Sequence, residues 1–337
     1  MKQLNSRKQK IFFYLPMAVF LLLIISCGYF SKTENVPVDV YVGGNSKTSN
    51  TEYQVAVYWK NGEMIPLETK PSGVTSIAVA GNDMYMAGYY IDTSVILTKG
   101  DAGVPIAGYW KNGEWVGLGN AKYWSVAITI FVSGDDVYAG GYIKNSSDTN
   151  AIPGYWKNGK WIALPSLEEG NAYVYSIFVS GNDVYAVVYS EEDDSGIYRD
   201  CYWKNGERIT LSVDPEDRYS SSGLSMFVAE KDVYVGGYCK DLFSNFTSVN
   251  AGYWKNGKWA HMTEPQNIFY DSGVASIFVF GKDVYAAGGY YKDYALCGHM
   301  FGFDIPGYWK NGEWVKLDAK GRPSVASILV VPKPAAR

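Results

Sequence analysis

The stretch PGYWKNGEWVKL, from Pro306 to Leu317, decides the fold. Asn311 and Gly312 both tolerate the positive φ that a two-residue hairpin turn demands, so the stretch reads as two short antiparallel strands. Its YWKNG core occurs six times. The tryptophans are Trp59, Trp110, Trp156, Trp203, Trp254 and Trp309, separated by 51, 46, 47, 51 and 55 residues. Self-similarity at such a period marks a repeat architecture, in which each unit buries its apolar surface only against its neighbours.

A second element precedes every copy after the first: SIAVAGNDMYMAGYY from Ser76, TIFVSGDDVYAGGYI from Thr129, SIFVSGNDVYAVVYS from Ser176, SMFVAEKDVYVGGYC from Ser225 and SIFVFGKDVYAAGGY from Ser276. The two elements together make a unit of four strands. In the last copy these are Ser276 to Phe280, Asp283 to Tyr290, Gly307 to Lys310 and Glu313 to Leu317, with Gly281 and Lys282 turning the first pair. The chain ends divide one further unit. SILVV from Ser327 is a first strand without successors, while DVYVGG from Asp39 and VYWKNGEMIPL from Val57 are second, third and fourth strands without a first. Joining them closes a ring and leaves no open sheet edge. The expected fold is therefore all-β, a six-bladed β-propeller of four-stranded blades over residues 37–331, closed by pairing the C-terminal strand with the N-terminal strands in one blade, with a tail at 332–337.

At this period the chain resembles kelch-like six-bladed propellers, and more narrowly the bacterial lipoproteins built from YWKNG and SGNDVY repeats. That resemblance covers residues 37 to 331 and implies a shape without an activity.

The first 26 residues lie outside the repeats. Lys2, Arg7, Lys8 and Lys10 make a basic start, and Ile11 to Ser26 is an apolar run containing Pro16, shorter than the roughly 20 residues of a spanning helix. Residues 1–26 are expected to be a secretory signal peptide. The run ends in LIISC, which resembles the lipobox of bacterial lipoproteins, with Ser26 as the small residue and Cys27 as the lipid acceptor. The resemblance implies cleavage before Cys27, acylation of that cysteine and a tether over 27–36, with each buried methylene contributing about 0.8 kcal/mol to membrane attachment. The implied location is the bacterial cell envelope, lipid-anchored to a membrane, at the outer membrane or cell surface in a Gram-negative organism. An uncleaved anchor helix, or a cysteine placed there by coincidence, is the alternative.

Composition supports a large all-β domain: 29 Tyr, 11 Trp and 36 Gly stand in a chain without sustained helical periodicity. A net charge of −4 and the lack of a basic stripe argue against nucleic acid as a partner. Residues present in every unit read as scaffold. Tyr41, Tyr85, Tyr138, Tyr185, Tyr234 and Tyr285 are expected to pack between blades. Asp39, Asp83, Asp136, Asp183, Asp232 and Asp283 could form a ring of ligands, but beside tight turns they are expected to bond nearby backbone amides. Trp115, Trp161, Trp259 and Trp314 share one outer-strand position, with Met64 and Arg208 in the other two blades.

Strand direction places the short turns on one face and the long connections, where the units differ, on the other. Candidate ligand-binding residues on the variable face are Tyr123, Trp124, Tyr173, Tyr175, Tyr219, Tyr270, Tyr291, Tyr294 and His299, with Phe301 beside them. Aromatic rings beside polar side chains suit stacking on sugars or a protein interface, and equally the sealing of loops onto the barrel. Catalytic and metal signals are sparse. His261 reads as a surface histidine, His299 with Cys297 lacks an orienting third group, and SEEDDSG from Ser190 to Gly196 reads as a solvated acidic loop ahead of a calcium site. Cys201 and Cys239 fall on the variable face, where one disulfide is possible, and Cys297 is left over. No cofactor is implied. The expected function is a binding or interaction module whose ligand is a glycan or another envelope protein. The alternatives are a saccharide-acting hydrolase or lyase on the long-loop face, and an assembly scaffold.

Overall fold

The computed structural model describes residues 21–22, 41–48, 50–60, 63–95, 103–120, 122–145, 150–165, 170–190, 201–211, 219–241, 249–262, 271–291, 305–317 and 328. All regular structure among them is β. The last repeat folds as Asp271–Phe280, Asp283–Tyr291, Ile305–Lys310 and Glu313–Lys316, hydrogen-bonded in that order and antiparallel throughout. The same order recurs in the sheets that begin with Ser72–Ala80, Tyr123–Ser133, Ala172–Ser180 and Tyr219–Ala229. A sixth sheet has three strands, Tyr41–Ser46, Val55–Lys60 and Glu63–Pro66, and lacks a first strand among the described residues.

First strands start upstream of their expected positions, at Asp271 instead of Ser276 in the last blade. A β-bulge explains the difference. Pairing with the second strand shifts register between Val74 and Ser76, Val174 and Ser176, Gly223 and Ser225, and Val274 and Ser276. The extra residue breaks the two-residue alternation by which a strand is recognised.

The first strands gather side by side. Ser76 Oγ accepts a hydrogen bond from Ile130 N–H at 3.3 Å, Ser176 Oγ from Met226 at 3.3 Å, and Ser225 Oγ from Ile277 at 3.4 Å, each linking one blade to the next. Phe131, Phe178, Phe227 and Phe278 continue this line as rings 4.8, 5.5 and 4.8 Å apart. Such edge-tilted pairs contribute about 0.5–1.5 kcal/mol each beyond their burial. The repeated tyrosines pack between blades as expected: Tyr85 lies with Ile130 and Val132, Tyr138 with Ile177 and Val179, and Tyr234 with Ile277 and Val279. Successive sheets stacked face to face around their first strands make a β-propeller.

Four blades are finished by a pair of indoles. Trp110, Trp156, Trp254 and Trp309 are fully buried on third strands and lie 4.4–4.5 Å from Trp115, Trp161, Trp259 and Trp314. The outer indole covers a third-strand glycine: a Cβ on Gly108, Gly154, Gly252 or Gly307 would collide with it. Where the outer indole is replaced, the glycine is replaced as well, by Val57 in the blade with Met64 and by Cys201 in the blade with Arg208.

The short-turn face carries a repeated lock. Asn112, Asn158, Asn205, Asn256 and Asn311 take φ of 49–52° ahead of a glycine. Each Oδ1 accepts from the backbone N–H that begins the facing second strand, at 2.8–2.9 Å, and each Nδ2 donates to Asp83, Asp136, Asp183, Asp232 or Asp283 at 2.7–2.8 Å. The other carboxylate oxygen pairs with Lys111, Lys157, Lys204, Lys255 or Lys310 at 2.6–3.2 Å, and each ammonium sits over the ring of the repeated tyrosine. This corrects the expected partners: the asparagine takes the backbone amide, and the aspartate bonds side chains of the other hairpin. The carboxyls of Asp83, Asp183 and Asp283 are held below the usual range first by the asparagine amide and then by lysine, with the order reversed at Asp136 and Asp232.

Leu21–Leu22 form a two-residue strand paired in parallel with Ile77 and Ala78, on the otherwise unpaired edge of the first strand Ser72–Ala80.

Two outcomes are expected. Gly252→Val should lower the thermal midpoint by an amount equivalent to about 1–3 kcal/mol of overpacking, and adding Trp259→Met, which reproduces the Val57–Met64 combination, should recover most of it. If the second change lowers the midpoint further, the packing account is wrong. The aspartates have depressed folded pKa values, so their stabilisation is complete above the unfolded value of about 3.9 and is lost as pH falls through the folded one. Thermal midpoints should be level from neutral pH to about 5 and fall steeply below about 4, with Asp136→Asn showing a shallower acid limb; identical limbs would count against the lock.

Candidate functional site

The opposite face is formed by the starts of first and third strands and the ends of second and outer strands, where the repeat relaxes. Tyr123 and Trp124 open the strand Tyr123–Ser133 and face Asn145 and Lys144 across the pair. Asn120 sets their position. Its Oδ1 accepts from Lys122 N–H at 3.0 Å and its carbonyl from Tyr123 N–H at 3.3 Å, a local turn that delivers the chain into the strand. Tyr123 is 39% exposed, a large fraction for an aromatic ring fixed at a strand end, and Trp124 is half-buried.

Tyr173 and Tyr175 lie in the strand Ala172–Ser180, with Tyr175 the extra residue of the bulge. Tyr173 meets Tyr142 of the preceding blade edge-on, 4.8 Å between centroids, and stacks on Tyr189 at 6.4 Å; Tyr175 lies 5.1 Å from Tyr189. Val126, Ile128 and Ala151 complete the cluster, and Tyr89 packs against it. Burial pushes the Tyr89 hydroxyl above its ordinary pKa. Tyr173 and Tyr175 therefore belong to a wall between blades, and Tyr89, Tyr142 and Tyr189 are members that were read only as repeat residues.

Tyr219 opens the strand Tyr219–Ala229 opposite Asp241, and Tyr291 closes Asp283–Tyr291 opposite Asp271. These tyrosines, like Tyr123 and Tyr173, stand on strands and not in the connections expected from sequence, because the first strands begin further toward this face and the second strand pairs with Asp271 as far as Tyr291. Tyr270, Tyr294, His299, Phe301, Cys297, Cys27 and the acidic residues after Ser190 lie outside the described residues. Asp271 is buried, and its Oδ1 accepts from Val249 N–H at 2.9 Å, a scaffold use of a carboxylate on this face. Cys201 and Cys239 are buried thiols with no disulfide, and His261 is exposed. Among the described residues no three His, Cys, Asp or Glu side chains group in a way that would hold a metal.

Two exposed aromatics stand apart from the candidate residues: Phe280, on the short-turn side, and Tyr53, on this one. Tyr53, 46% exposed, precedes the third strand of the N-terminal sheet, and its hydroxyl donates to the Thr69 carbonyl at 2.9 Å. Beside it Asn45 Nδ2 donates to Gln54 Oε1 at 2.8 Å. The signal available was a departure from the repeat: Asn45 stands where other second strands carry Tyr89, Tyr142, Tyr189 and Tyr238.

No protein-family model and no curated protein sequence matches the chain. Among solved structures the chain is similar to the β-propeller domain of the Trilobed protease of Pyrococcus furiosus, at 10% identity, covering 84% of this chain and 79% of that one, with a TM-score of 0.47. It is also similar to the sialidase of Trypanosoma rangeli, at 8% identity over 82% of this chain and 53% of that one, with a TM-score of 0.46. A third similarity is to YjhT, at 11% identity over 76% of this chain and 92% of that one, with a TM-score of 0.40. These are similarities of shape and carry nothing about activity.

Proposed function

We propose that the chain is a glycan-binding module, a closed six-bladed propeller held on the bacterial envelope by a lipidated Cys27. The observation that carries binding is the contrast between the faces. The short-turn face uses its carboxylates, ammonium groups and amides on one another, in five copies of the same lock. The opposite face holds two exposed tyrosines, Tyr53 and Tyr123, the latter paired through the backbone with Asn145 next to Lys144, whereas the exposed ring of the short-turn side among the described residues is Phe280. Rigid aromatic planes with polar neighbours match the apolar faces and hydroxyls of a sugar.

Closure of the ring rests on Ile328. Its N–H donates to Ser276 Oγ at 3.3 Å, repeating the bond that Ser76, Ser176 and Ser225 accept from the next first strand. That bond supports reading SILVV from Ser327 as the first strand that the three-stranded N-terminal sheet lacks among the described residues. The anchor rests on the lipobox resemblance. Cleavage before Cys27 removes Leu21–Leu22 and bares the edge of Ser72–Ala80.

A thermal-shift screen of the full chain in detergent against oligosaccharides tests binding, since a ligand that prefers the folded state at a hundredfold excess over Kd stabilises it by about 2.7 kcal/mol. A saccharide-dependent rise is expected. No rise with any saccharide, together with a crosslinked envelope protein, would replace the glycan by a protein partner. Cys27→Ser should abolish incorporation of labelled palmitate and release the protein from membranes; retention of label would remove Cys27 as the acceptor.

A further inference from the structure

We infer that Tyr53 and the amide pair Asn45–Gln54 form a saccharide subsite at the seam between the N-terminal sheet and the blade that begins at Ser72. This deepens the glycan-binding reading and rests on it. The seam differs from the two that follow it. There a second-strand tyrosine fills this level, Tyr89 packing with Val126 and Ile128 and Tyr142 with Tyr173, while the last described second strand carries Gly289 at the equivalent position. At the N-terminal sheet the position holds Asn45, partly exposed, whose amide turns to the exposed Gln54 and leaves the seam polar.

The geometry suits a sugar in three respects. First, an amide bonded to an amide keeps one donor and one acceptor outward: here Gln54 Nε2 and Asn45 Oδ1, and the opposite pair if both groups are turned over. A hydroxyl both donates and accepts, so two neighbouring hydroxyls on a pyranose complement that edge. Second, Tyr53 offers a ring 46% exposed, whose hydroxyl is already tied to Thr69. Stacking then orders little that is not ordered beforehand, which lowers the cost of binding. Third, ring and amides are held to one rigid connector. Thr69 receives the Tyr53 hydroxyl, and Ser72 N–H donates to the Gln54 carbonyl at 3.2 Å. Ser72 Oγ bridges the Lys70 carbonyl and Ala56 N–H, at 2.8 Å to each. The ligand class is a neutral oligosaccharide with vicinal hydroxyls, gripped edge-on by the amides and face-on by the phenol.

Saturation-transfer NMR of the full chain in detergent with cellohexaose, chitohexaose and mannohexaose as probes tests the assignment. Tyr53→Ala and the double variant Asn45→Ala/Gln54→Ala should each weaken binding of the preferred probe by about tenfold or more, the loss of roughly 1.4 kcal/mol. Tyr53→Phe keeps the ring and loses the tether to Thr69, and should fall between wild type and Tyr53→Ala. Circular dichroism establishes that the variants are folded. Unchanged binding in Tyr53→Ala and the amide double variant, with binding lost in Tyr123→Ala, would overturn this subsite and leave the glycan-binding reading standing. Absence of binding of all three probes to the wild-type chain would overturn both.

Discussion

The described blades depend on one another, because sheets such as the one that begins with Tyr123–Ser133 bury apolar side chains on both faces. Trp156 is buried with residues of the preceding blade, and Tyr234 is buried against Ile277 and Val279 of the following one. A single four-stranded sheet would leave these rings in water, at about 25 cal/mol for each square ångström exposed. The cost disappears only when every sheet has a neighbour on each side. A propeller supplies such neighbours, and the Ser-to-backbone bonds from one first strand to the next show how adjacent blades are keyed.

The same constraint explains why the sequence repeats so closely in some places and freely in others. The third-strand glycine and outer indole form one volume shared between two strands, so they change together or not at all. Val57 with Met64 and Cys201 with Arg208 are joint substitutions of that kind. The Asn–Gly turn, the aspartate and the lysine are bound in the same way, since each saturates the next. No such closure operates at the strand ends of the other face. There Asn45, Tyr89, Tyr142, Tyr189, Tyr238 and Gly289 occupy equivalent positions, and the surface can specialise blade by blade.

Much of the fold was legible because it is local. Hairpins come from adjacent residues, and Asn311-Gly312 names its own turn. What was not legible is what depends on contacts between hairpins. The aspartate's true partners sit across the blade, 28 residues away at Asp283 and Asn311, so reasoning from neighbours assigned it to backbone amides instead. The early start of the first strands was hidden because one bulged residue inverts the alternation, and Asp271–Ala275 then reads as a connection. Tyr173 and Tyr175 were recognised as unusual residues, but their place in a wall with Tyr142 and Tyr189 required the register. Tyr53 and Asn45 carry a fainter signal, since Asn45 is marked by an aromatic removed from the repeat, as is Gly289, and not by one added.

Removal matters as much as addition on a surface built from copies. Where a seam carries tyrosines, as at Tyr142 and Tyr173, the rings pack on one another and a ligand finds a sealed wall. A seam that substitutes an amide has lost apolar burial and has gained nothing for the fold beyond an exposed bond to Gln54, and exposed amide pairs stabilise little because water competes for both partners. Yet the surrounding connector is tied down, with Thr69, Lys70 and Ser72 each engaged. Rigidity is thus spent around a spot where packing has been given up. In a structural seam those two features oppose each other; in a recognition site, where polar groups must be held in place and left open, they belong together.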